Sequence, residues 1–179
     1  MKKIIFIIPP QNFRDEELFH TKEVLESCTI ETKIASTKKG ECIGSRGGIA
    51  VSTYLLEEIN SKDFDGIIFI GGMGTPVIRS NNLALALAKH FNDEDKLVCA
   101  ICWASTILAK AGVLKDKKAT VWLGDDPEYN TTTDKVLERY GGIYSPDRVV
   151  ADKNIITAQG PIQAREFGKK IAEKIILSH

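Results

Sequence analysis

The sequence has no excess of charge of either sign and no long apolar run. Its 24 basic and 24 acidic residues cancel, and no basic run points to nucleic acid or an anionic membrane surface as a partner. No stretch approaches the roughly 18 consecutive apolar residues of a membrane-spanning helix. The apolar run Ile4–Ile8 ends in two prolines and lacks a small-residue cleavage site, which favours a core strand over a signal peptide. We therefore expect neither nucleic acid nor membrane as a partner.

Histidine and cysteine are scarce, with three and four residues. The histidines (His20, His90 and His179) are far apart and no paired cysteines have metal-ligand spacing, so we expect no metal. Gly72-Met-Gly74 lacks the third glycine and the ribose-binding acid of a dinucleotide site, so we expect no organic cofactor. Four cysteines without a signal segment favour reduced thiols in the cytoplasm.

Short apolar runs alternate with amphipathic stretches along the whole chain. The apolar runs are typical of parallel strands buried on both faces; they are Lys3–Ile8, Asp65–Ile70 and Leu97–Ile101. Helical spacing predicts helices over Asp15–Ser27, Asn82–Phe91, Trp103–Lys110, Thr131–Tyr140 and Ile162–Leu177. Two hairpin-like stretches, Ser36–Thr53 and Val149–Thr157, are predicted as small antiparallel excursions. The pattern predicts one doubly wound α/β domain over residues 1–179, with ligands bound beyond the carboxyl ends of its strands.

One cysteine lies where a buried strand gives way to a helix. Cys102 follows the apolar run Leu97–Ile101 and precedes a helical stretch that ends at Gly112. A thiol on such a tight turn stands above the sheet edge, where the helix N-terminus favours a thiolate. Cys102 is thus either a nucleophile or redox-sensing thiol, or a small buried apolar residue.

Two further loops converge at the same edge of the sheet. One follows the first strand and carries the acids Asp15, Glu16 and Glu17. The other follows the apolar run Asp65–Ile70 and contains Gly71 and Gly72. Glycines let the backbone approach a ligand closely, and their N–H groups are suited to an oxyanion.

With these motifs assembled, the chain resembles the ThiJ/PfpI superfamily of deglycase-like proteins and intracellular peptidases. The resemblance runs from residue 3 to the C-terminus, and several motifs occur in family order. They are Phe13–Leu18, Ile70–Gly74, Ala100–Cys102, Leu108–Leu114 with Lys118–Thr120, and Ile156–Pro161. The resemblance implies a flavodoxin-like fold with a nucleophile elbow, and a homodimer or a larger homo-oligomer built from dimers.

The resemblance also implies roles for individual residues. It identifies Cys102 as the nucleophile and Glu17 as the acid that hydrogen-bonds the sulfur, with Gly71, Gly72 and Trp103 around an anion pocket. A carboxyl beside a thiolate must share a proton with it, which raises the pKa of the carboxyl. Taken without the resemblance, Glu17 reads as a solvated acid in the first turn of a helix.

The chain also departs from the family pattern. PfpI-type peptidases carry a histidine directly after the cysteine, where this chain has Trp103. The deglycase-like branch carries a histidine after the Ala-Thr strand, where this chain has Val121 and Trp122. We expect no thiol–imidazole pair, which argues against peptide hydrolysis.

Aromatic residues and a covering loop are the remaining candidates for the pocket. We expect Trp103 and Trp122 either to wall the pocket or to pack in the core. Asp126 and Tyr129, with Asp125 on the same loop, and Gly160 before the last helix are further candidate wall residues.

Cys99 and Cys102 spell Cys-x-x-Cys, but the first three residues of the motif lie in a strand. Three strand steps span about 10 Å, beyond the roughly 7 Å limit for a disulfide. We therefore predict that Cys99 is a core residue, and the sequence assigns no role to Cys28 or Cys42.

Three functional hypotheses remain. The first is a cofactor-independent glyoxalase or deglycase that uses Cys102 and Glu17 on an α-oxoaldehyde or a glycated substrate. The second is a non-catalytic stress protein, a sensor or holdase, whose Cys102 is oxidised. The third is an intracellular cysteine peptidase or amidase.

Overall fold

The first strand explains why the sheet is covered on both faces. Side chains alternate across a strand, so Ile4 and Phe6 pack into one apolar cluster while Ile5 and Ile7 pack into another. All four are buried. A near-continuous apolar run is therefore the signature of a strand with a helical layer on each side.

The computed structural model describes residues 1–177 and contains a central sheet of seven strands. The strands of the chain are β1 Lys3–Ile7, β2 Gln11–Phe13, β3 Glu31–Ser36, β4 Gly40–Gly44, β5 Ile49–Ser52, β6 Tyr54–Leu55, β7 Gly66–Phe69, β8 Leu97–Ile101, β9 Lys118–Ala119, β10 Asp125–Asp126, β11 Thr131–Thr132, β12 Ile143–Tyr144, β13 Val149–Asp152 and β14 Ile155–Ala158. The order in the central sheet is β13-β14-β8-β7-β1-β3-β6. Every neighbouring pair is parallel except β13 with β14.

Helices cover both faces of this sheet. They are α1 Asp15–Ser27, α2 Thr75–Arg79, α3 Asn82–Asp93, α4 Ser105–Lys110, α5 Thr133–Arg139 and α6 Ala164–Leu177. Leu18 of α1 and Phe167 of α6 belong to one apolar cluster, whereas Leu87 of α3 and Leu108 of α4 belong to the other. The predicted doubly wound, single-domain α/β fold is confirmed. Within residues 1–177, no helix is long and apolar enough to cross a membrane.

Both antiparallel excursions are present, with differences in detail. Strands β4 and β5 form a hairpin, and β2 joins it in parallel beside β4. The second hairpin, β13–β14, is part of the central sheet because β14 pairs in parallel with β8.

Several local predictions were incomplete. Helix α2 was not predicted, and the helices predicted from Trp103 and Ile162 begin at Ser105 and Ala164, each after a 3-10 turn. Strand β3 was not predicted, since its first half, Glu31 to Lys33, is polar and only half-buried near the sheet edge. The helix predicted from Thr131 begins at Thr133, because Thr131 and Thr132 pair with Asp126 and Asp125 in a two-residue ladder.

Candidate active site

Cys102 lies on a sharp turn between β8 and α4. The strand is wholly buried, and Cys102 begins a single 3-10 turn, Cys102–Ala104, before the helix. Its φ of 64° is in the left-handed region, which costs a non-glycine residue about 1–3 kcal/mol and is concentrated at functional sites. The predicted elbow geometry is therefore present, and Cys102, a half-buried residue, stands at the carboxyl edge of the sheet.

Glu17 points into the protein from the first turn of α1. Its side chain is fully buried, and Oε2 accepts a 2.9 Å hydrogen bond from the N–H of Gly71. Burial raises the pKa of Glu17 to about 8, against the opposing effects of hydrogen bonds with Cys102 and the Gly71 amide. Oε1 is buried and lacks a well-oriented hydrogen-bond donor among the described residues, as expected for a carboxyl that keeps its proton. Glu17 is therefore not the solvated helix-start acid that its position alone suggests.

Burial, and then the charge of Glu17, raise the pKa of the Cys102 thiol. The backbone N–H groups of Trp103 and Gly72 act in the opposite direction by hydrogen bonding to the sulfur. The helix N-terminus was expected to favour the thiolate, but α4 has only six residues and the sulfur is desolvated beside an acid. Because the Glu17 carboxyl and the Cys102 thiol interact so closely, the first proton that is lost on raising the pH is shared by the two groups and is assigned to neither alone.

The two glycines after β7 have different roles. The N–H of Gly72 faces the sulfur, as expected for an anion pocket, and its φ of 109° suits glycine. The N–H of Gly71 is occupied by Glu17 and its carbonyl by the N–H of Arg14. Gly71 therefore positions the acid and does not line the anion pocket, which corrects the sequence-based expectation.

A cavity of about 430 Å³ opens above the sulfur. It is lined by Arg14, Glu17, Ser45, Arg46, Gly72, Met73, Cys102, Trp103, Trp122 and Pro161. Trp122 thus walls the pocket as expected, with its ring centroid 6.3 Å from that of Trp103. A slightly larger cavity, about 510 Å³, lies near Lys3 and Asp65, at the amino ends of the strands, whereas such folds bind ligands at the carboxyl ends.

Asp126, Tyr129 and Gly160 were expected in the pocket wall, but none lines it. Asp126 is 1% exposed and lies behind Trp103, where it pairs with the fully buried Arg79. Tyr129 packs with its ring 4.8 Å from the Arg79 guanidinium carbon. The sequence does not reveal this arrangement because a wholly buried arginine is rare. Gly160 only precedes Pro161, which does line the cavity.

Five lining residues were missed from the sequence, and Pro161 is one of them. Arg14 and Met73 lie within the two predicted loops, and Ser45 and Arg46 come from the turn of the β4–β5 hairpin. Only the folded chain brings that hairpin turn close to Cys102. Arg14 could have been singled out from the sequence, because it directly precedes the acids Asp15, Glu16 and Glu17.

The described histidines lie away from the cavity. His20 is half-buried on α1, and His90 is exposed on α3 with Glu94 at 3.4 Å. His179 lies outside the described residues. Cys99 is fully buried in the core, as predicted, where burial raises the pKa of its thiol. Cys42 is also buried, whereas Cys28 is exposed.

The chain is similar to known proteins over nearly its whole length. A family model described as the DJ-1/PfpI family matches residues 2–174. An uncharacterized protein of Methanocaldococcus jannaschii is 39% identical over 174 residues, covering 97% of this chain and 82% of that protein. Deglycase PfpI of Pyrococcus furiosus is 31% identical over 160 residues, covering 89% of this chain and 90% of that protein.

Solved structures agree with this similarity. A ThiJ/PfpI domain protein from Brachyspira murdochii superimposes with a TM-score of 0.90 at 28% identity, covering 99% of this chain and 97% of that one. Drosophila melanogaster DJ-1beta gives a TM-score of 0.82 at 30% identity, covering 98% of this chain and 91% of that one. The sequence match, the shared fold and the cysteine at the elbow together establish that the chain belongs to the DJ-1/PfpI family.

Proposed function

We propose that the protein is a cysteine-dependent enzyme of the glyoxalase or deglycase type, acting on α-oxoaldehydes such as methylglyoxal or on their early adducts. The observation that carries the proposal is the placement of Cys102 against the buried Glu17, beside the N–H groups of Gly72 and Trp103. A pKa of about 8 for Glu17 suits an acid that both gives and takes protons near neutral pH. The deglycase name of the Pyrococcus furiosus relative supports the same class.

In the first step the sulfur of Cys102 bonds to the aldehyde carbon. The reacting form of the Cys102–Glu17 pair has lost one proton, so Glu17 accepts the thiol proton as a carboxylate while the carbonyl electron pair moves to the aldehyde oxygen. The N–H groups of Gly72 and Trp103 hold the alkoxide, which then takes the proton from Glu17. The product is a hemithioacetal.

In the second step Glu17 removes the hydrogen on the sulfur-bearing carbon as a proton and returns it to the adjacent carbon. The hydroxyl proton of the hemithioacetal passes to the neighbouring carbonyl oxygen, which becomes the 2-hydroxyl group. The hemithioacetal becomes a thioester of a 2-hydroxy acid, so one carbon is oxidised and its neighbour is reduced without an external electron carrier. Water then cleaves the thioester, which releases lactate from methylglyoxal and regenerates the thiol of Cys102.

An adduct on an amine or thiol first dissociates: its hydroxyl proton passes to the leaving nitrogen or sulfur, and the aldehyde that is set free reacts with Cys102 in the same way. Aldehydes and such adducts need one proton carrier, whereas an amide needs an acid for its leaving amine. No described histidine lines the cavity, so we propose that peptidase activity on casein stays at background.

The direct test is formation of lactate from methylglyoxal without glutathione. Lactate formation that depends on Cys102 supports the proposal. Absence of turnover, with Cys102 oxidised by peroxide and a stress-linked phenotype intact, would favour the redox-sensing alternative.

We further propose that the protein acts in the cytoplasm as a homodimer or larger homo-oligomer. Its four cysteines are unpaired, which suits a reducing compartment. The outer face of the β4–β5 hairpin exposes Ile43, Ile49 and Val51, at 43%, 57% and 55%, which suits contact with a second copy. Sedimentation of the purified protein, compared with a triple serine variant of these residues, tests the assembly.

A further inference from the structure

Arg79 is a wholly buried arginine whose side chain reaches the turn that carries Cys102. Its Nη1 donates to Oδ2 of Asp126 at 2.5 Å and to Oγ1 of Thr106 at 2.9 Å, and its Nη2 donates to Asp126 and Glu128. Its Nε has no hydrogen-bond partner among the described residues. A buried ion pair is often no more stabilising than well-packed apolar side chains, so stability alone does not explain an arginine at this position.

Two hydrogen bonds connect Trp103 to the partners of this arginine. The indole N–H of Trp103 donates to Oδ2 of Asp126 at 2.8 Å, and the carbonyl of Trp103 accepts a 2.7 Å hydrogen bond from the hydroxyl of Thr106. The Arg79 cluster, which consists of Arg79, Asp126 and Thr106, thus holds both the side chain and the backbone of this residue. Because Trp103 directly follows Cys102, the cluster also fixes the backbone N–H that faces the sulfur.

Arg79 also ends the helix that follows the other N–H donor of the anion pocket. The Gly72 carbonyl accepts hydrogen bonds from the N–H of Thr75 at 3.1 Å and from its hydroxyl at 2.8 Å. Thr75 begins α2 and Arg79 ends it, so this five-residue helix joins Gly72 to the Arg79 cluster. The cluster therefore links the two N–H groups that face the sulfur, those of Gly72 and Trp103.

The charge of Arg79 is cancelled locally. Two carboxylates, those of Asp126 and Glu128, pair with the cation, so little net positive charge remains to attract a thiolate. Neither Arg79 nor Thr106 lines the cavity above the sulfur. A contribution of the Arg79 cluster to the reaction is therefore one of geometry. Preorganised N–H donors stabilise an oxyanion only while they keep their positions, and a displacement of about 1 Å can lower a rate about 100-fold.

We propose that the Arg79 cluster positions the anion pocket, holding the N–H groups of Trp103 and Gly72 at the spacing that the alkoxide of the first reaction step requires. Arg79 and Thr106 are positioning residues that act through Trp103. The effect on catalysis rests on the proposed function. The hold on the Trp103 N–H does not, because the same N–H donates to the sulfur of Cys102 before any substrate binds.

Thr106→Val tests the proposal at the backbone end of the Arg79 cluster. Valine has nearly the shape of threonine but lacks the hydroxyl that joins Arg79 to the Trp103 carbonyl. For lactate formation from methylglyoxal we expect kcat to fall about tenfold, less than the loss of about 100-fold or more on removing an oxyanion donor outright. KM should change little, because Thr106 does not line the cavity. Thr106→Ser, which keeps the hydroxyl, should restore most of kcat.

Ser36→Ala is the matched control for Thr106→Val. Ser36 is as fully buried as Thr106, and its hydroxyl also donates to a backbone carbonyl, that of Ile8, at 2.7 Å. Ser36 ends β3, which lies three places from β8 in the central sheet, so loss of this hydroxyl should leave kcat unchanged. An unchanged kcat in folded Thr106→Val, a loss that Thr106→Ser does not restore, or an equal loss in Ser36→Ala would overturn the proposal.

The titration of the Cys102 thiol reports the same geometry without catalysis. Burial raises the pKa of this thiol most, and the hydrogen bond from the N–H of Trp103 acts in the opposite direction. Displacing that N–H should therefore raise the pH midpoint of Cys102 alkylation by iodoacetamide, by about half a unit or more. We expect this rise in Thr106→Val and in Trp103→Phe, which removes the indole donor, but not in Ser36→Ala. The exposed Cys28 is the reference thiol in the same peptide mass spectra.

The two measurements separate this proposal from the proposed function. If the wild type forms no lactate but the midpoint rises in Thr106→Val and Trp103→Phe, the proposed function fails and the positioning of the Trp103 N–H stands. If the wild type forms lactate and neither kcat nor the midpoint changes in Thr106→Val, the Arg79 cluster has no positioning role and the proposed function stands. A fall in kcat without a rise in the midpoint also overturns the proposal, because the cluster is proposed to act through that N–H.

Discussion

The indole N–H of Trp103 donates a 2.8 Å hydrogen bond to Oδ2 of Asp126. The same carboxylate accepts two hydrogen bonds from Arg79, at 2.5 and 3.0 Å. Both members of the ion pair have side chains that are 0% exposed. Because the backbone N–H of Trp103 faces the Cys102 sulfur, the Arg79–Asp126 pair lies directly behind one wall of the active site.

Removing one partner of this pair should destabilise the protein strongly. Asp126→Ala leaves the buried Arg79 charge with Glu128, a partly exposed carboxylate at 2.8 Å, as its remaining ion-pair partner. We therefore expect a loss of about 3 kcal/mol in the free energy of unfolding, measured in urea, at the low end of the cost of breaking a buried pair. Asp93→Ala is the control, because its pair with Lys89 is exposed at 55% and 63%, and we expect a loss below about 1 kcal/mol. Similar losses for the two variants would contradict the anchoring role of the buried pair.

Acid should weaken the same anchor. Despite the cost of burial, hydrogen bonds from Arg79 and Trp103 lower the pKa of Asp126. A depressed folded-state pKa adds stability that is present above the ordinary aspartate pKa, about 3.9, and is lost as pH falls through the lower folded-state value. The wild type should therefore lose its advantage over Asp126→Asn only in that acidic range. A stability difference that stays constant down to the acid-unfolded state would contradict this.

Glu17 should show the opposite pH dependence. Its pKa is raised to about 8 when folded, but is about 4.3 when unfolded, so unfolding releases a proton between these values. Wild-type stability should therefore fall relative to Glu17→Gln by about 1.4 kcal/mol per pH unit as pH rises from about 5 to 8. Parallel urea titrations measure this difference.

Glu16→Gln is the matched control for that series. Glu16 lies in the same helical turn, and the hydrogen bond from Arg14 helps to lower its pKa despite the cost of burial. We therefore expect that Glu16→Gln, unlike Glu17→Gln, does not become more stable relative to the wild type as pH rises from about 5 to 8. A Glu17→Gln difference that does not vary with pH would mean that Glu17 is ionised in the folded protein.

Oxidation should modify Cys102 without linking it to its strand neighbour. The Cys99 side chain is fully buried, while Cys102 is half-buried above the sheet edge. We expect mild peroxide to convert Cys102 to the sulfinic acid, because N–H donors of Trp103 and Gly72 suit an oxidised anion. Peptide mass spectrometry should find Cys99 still as a thiol. A Cys99–Cys102 disulfide would contradict the geometry of the elbow.

Much of the fold follows from local patterns in the sequence. The apolar runs of β1, β7 and β8 are buried on both faces, so their period and length predict parallel strands. Strand β3 was not predicted because its polar half lies near the edge of the sheet, where Glu31 pairs with Lys33 and with Lys3 of β1. The position of β3 depends on its pairing with β1, and a contact between residues so far apart in sequence leaves no local pattern.

The candidate site was predictable where it lies at the ends of those strands. Cys102 and Glu17 belong to motifs that follow strands directly, so the resemblance to the ThiJ/PfpI superfamily identified both as site residues. Arg46 and the buried Arg79 were not predictable, because one arrives on a hairpin turn and the other is stabilised by a carboxylate distant in sequence. Such long-range contacts exist only after the sheet has assembled.

The most direct test of the account is lactate production from methylglyoxal, without glutathione, by the wild type, Cys102→Ala and Glu17→Gln. Cys28→Ala is the matched control, since Cys28 is exposed and outside the cavity. We predict turnover by the wild type and Cys28→Ala, none by Cys102→Ala, and a loss of about 100-fold or more for Glu17→Gln, with all four proteins folded. Undiminished lactate production by folded Cys102→Ala or Glu17→Gln would contradict the central claim that this thiol and this acid act together.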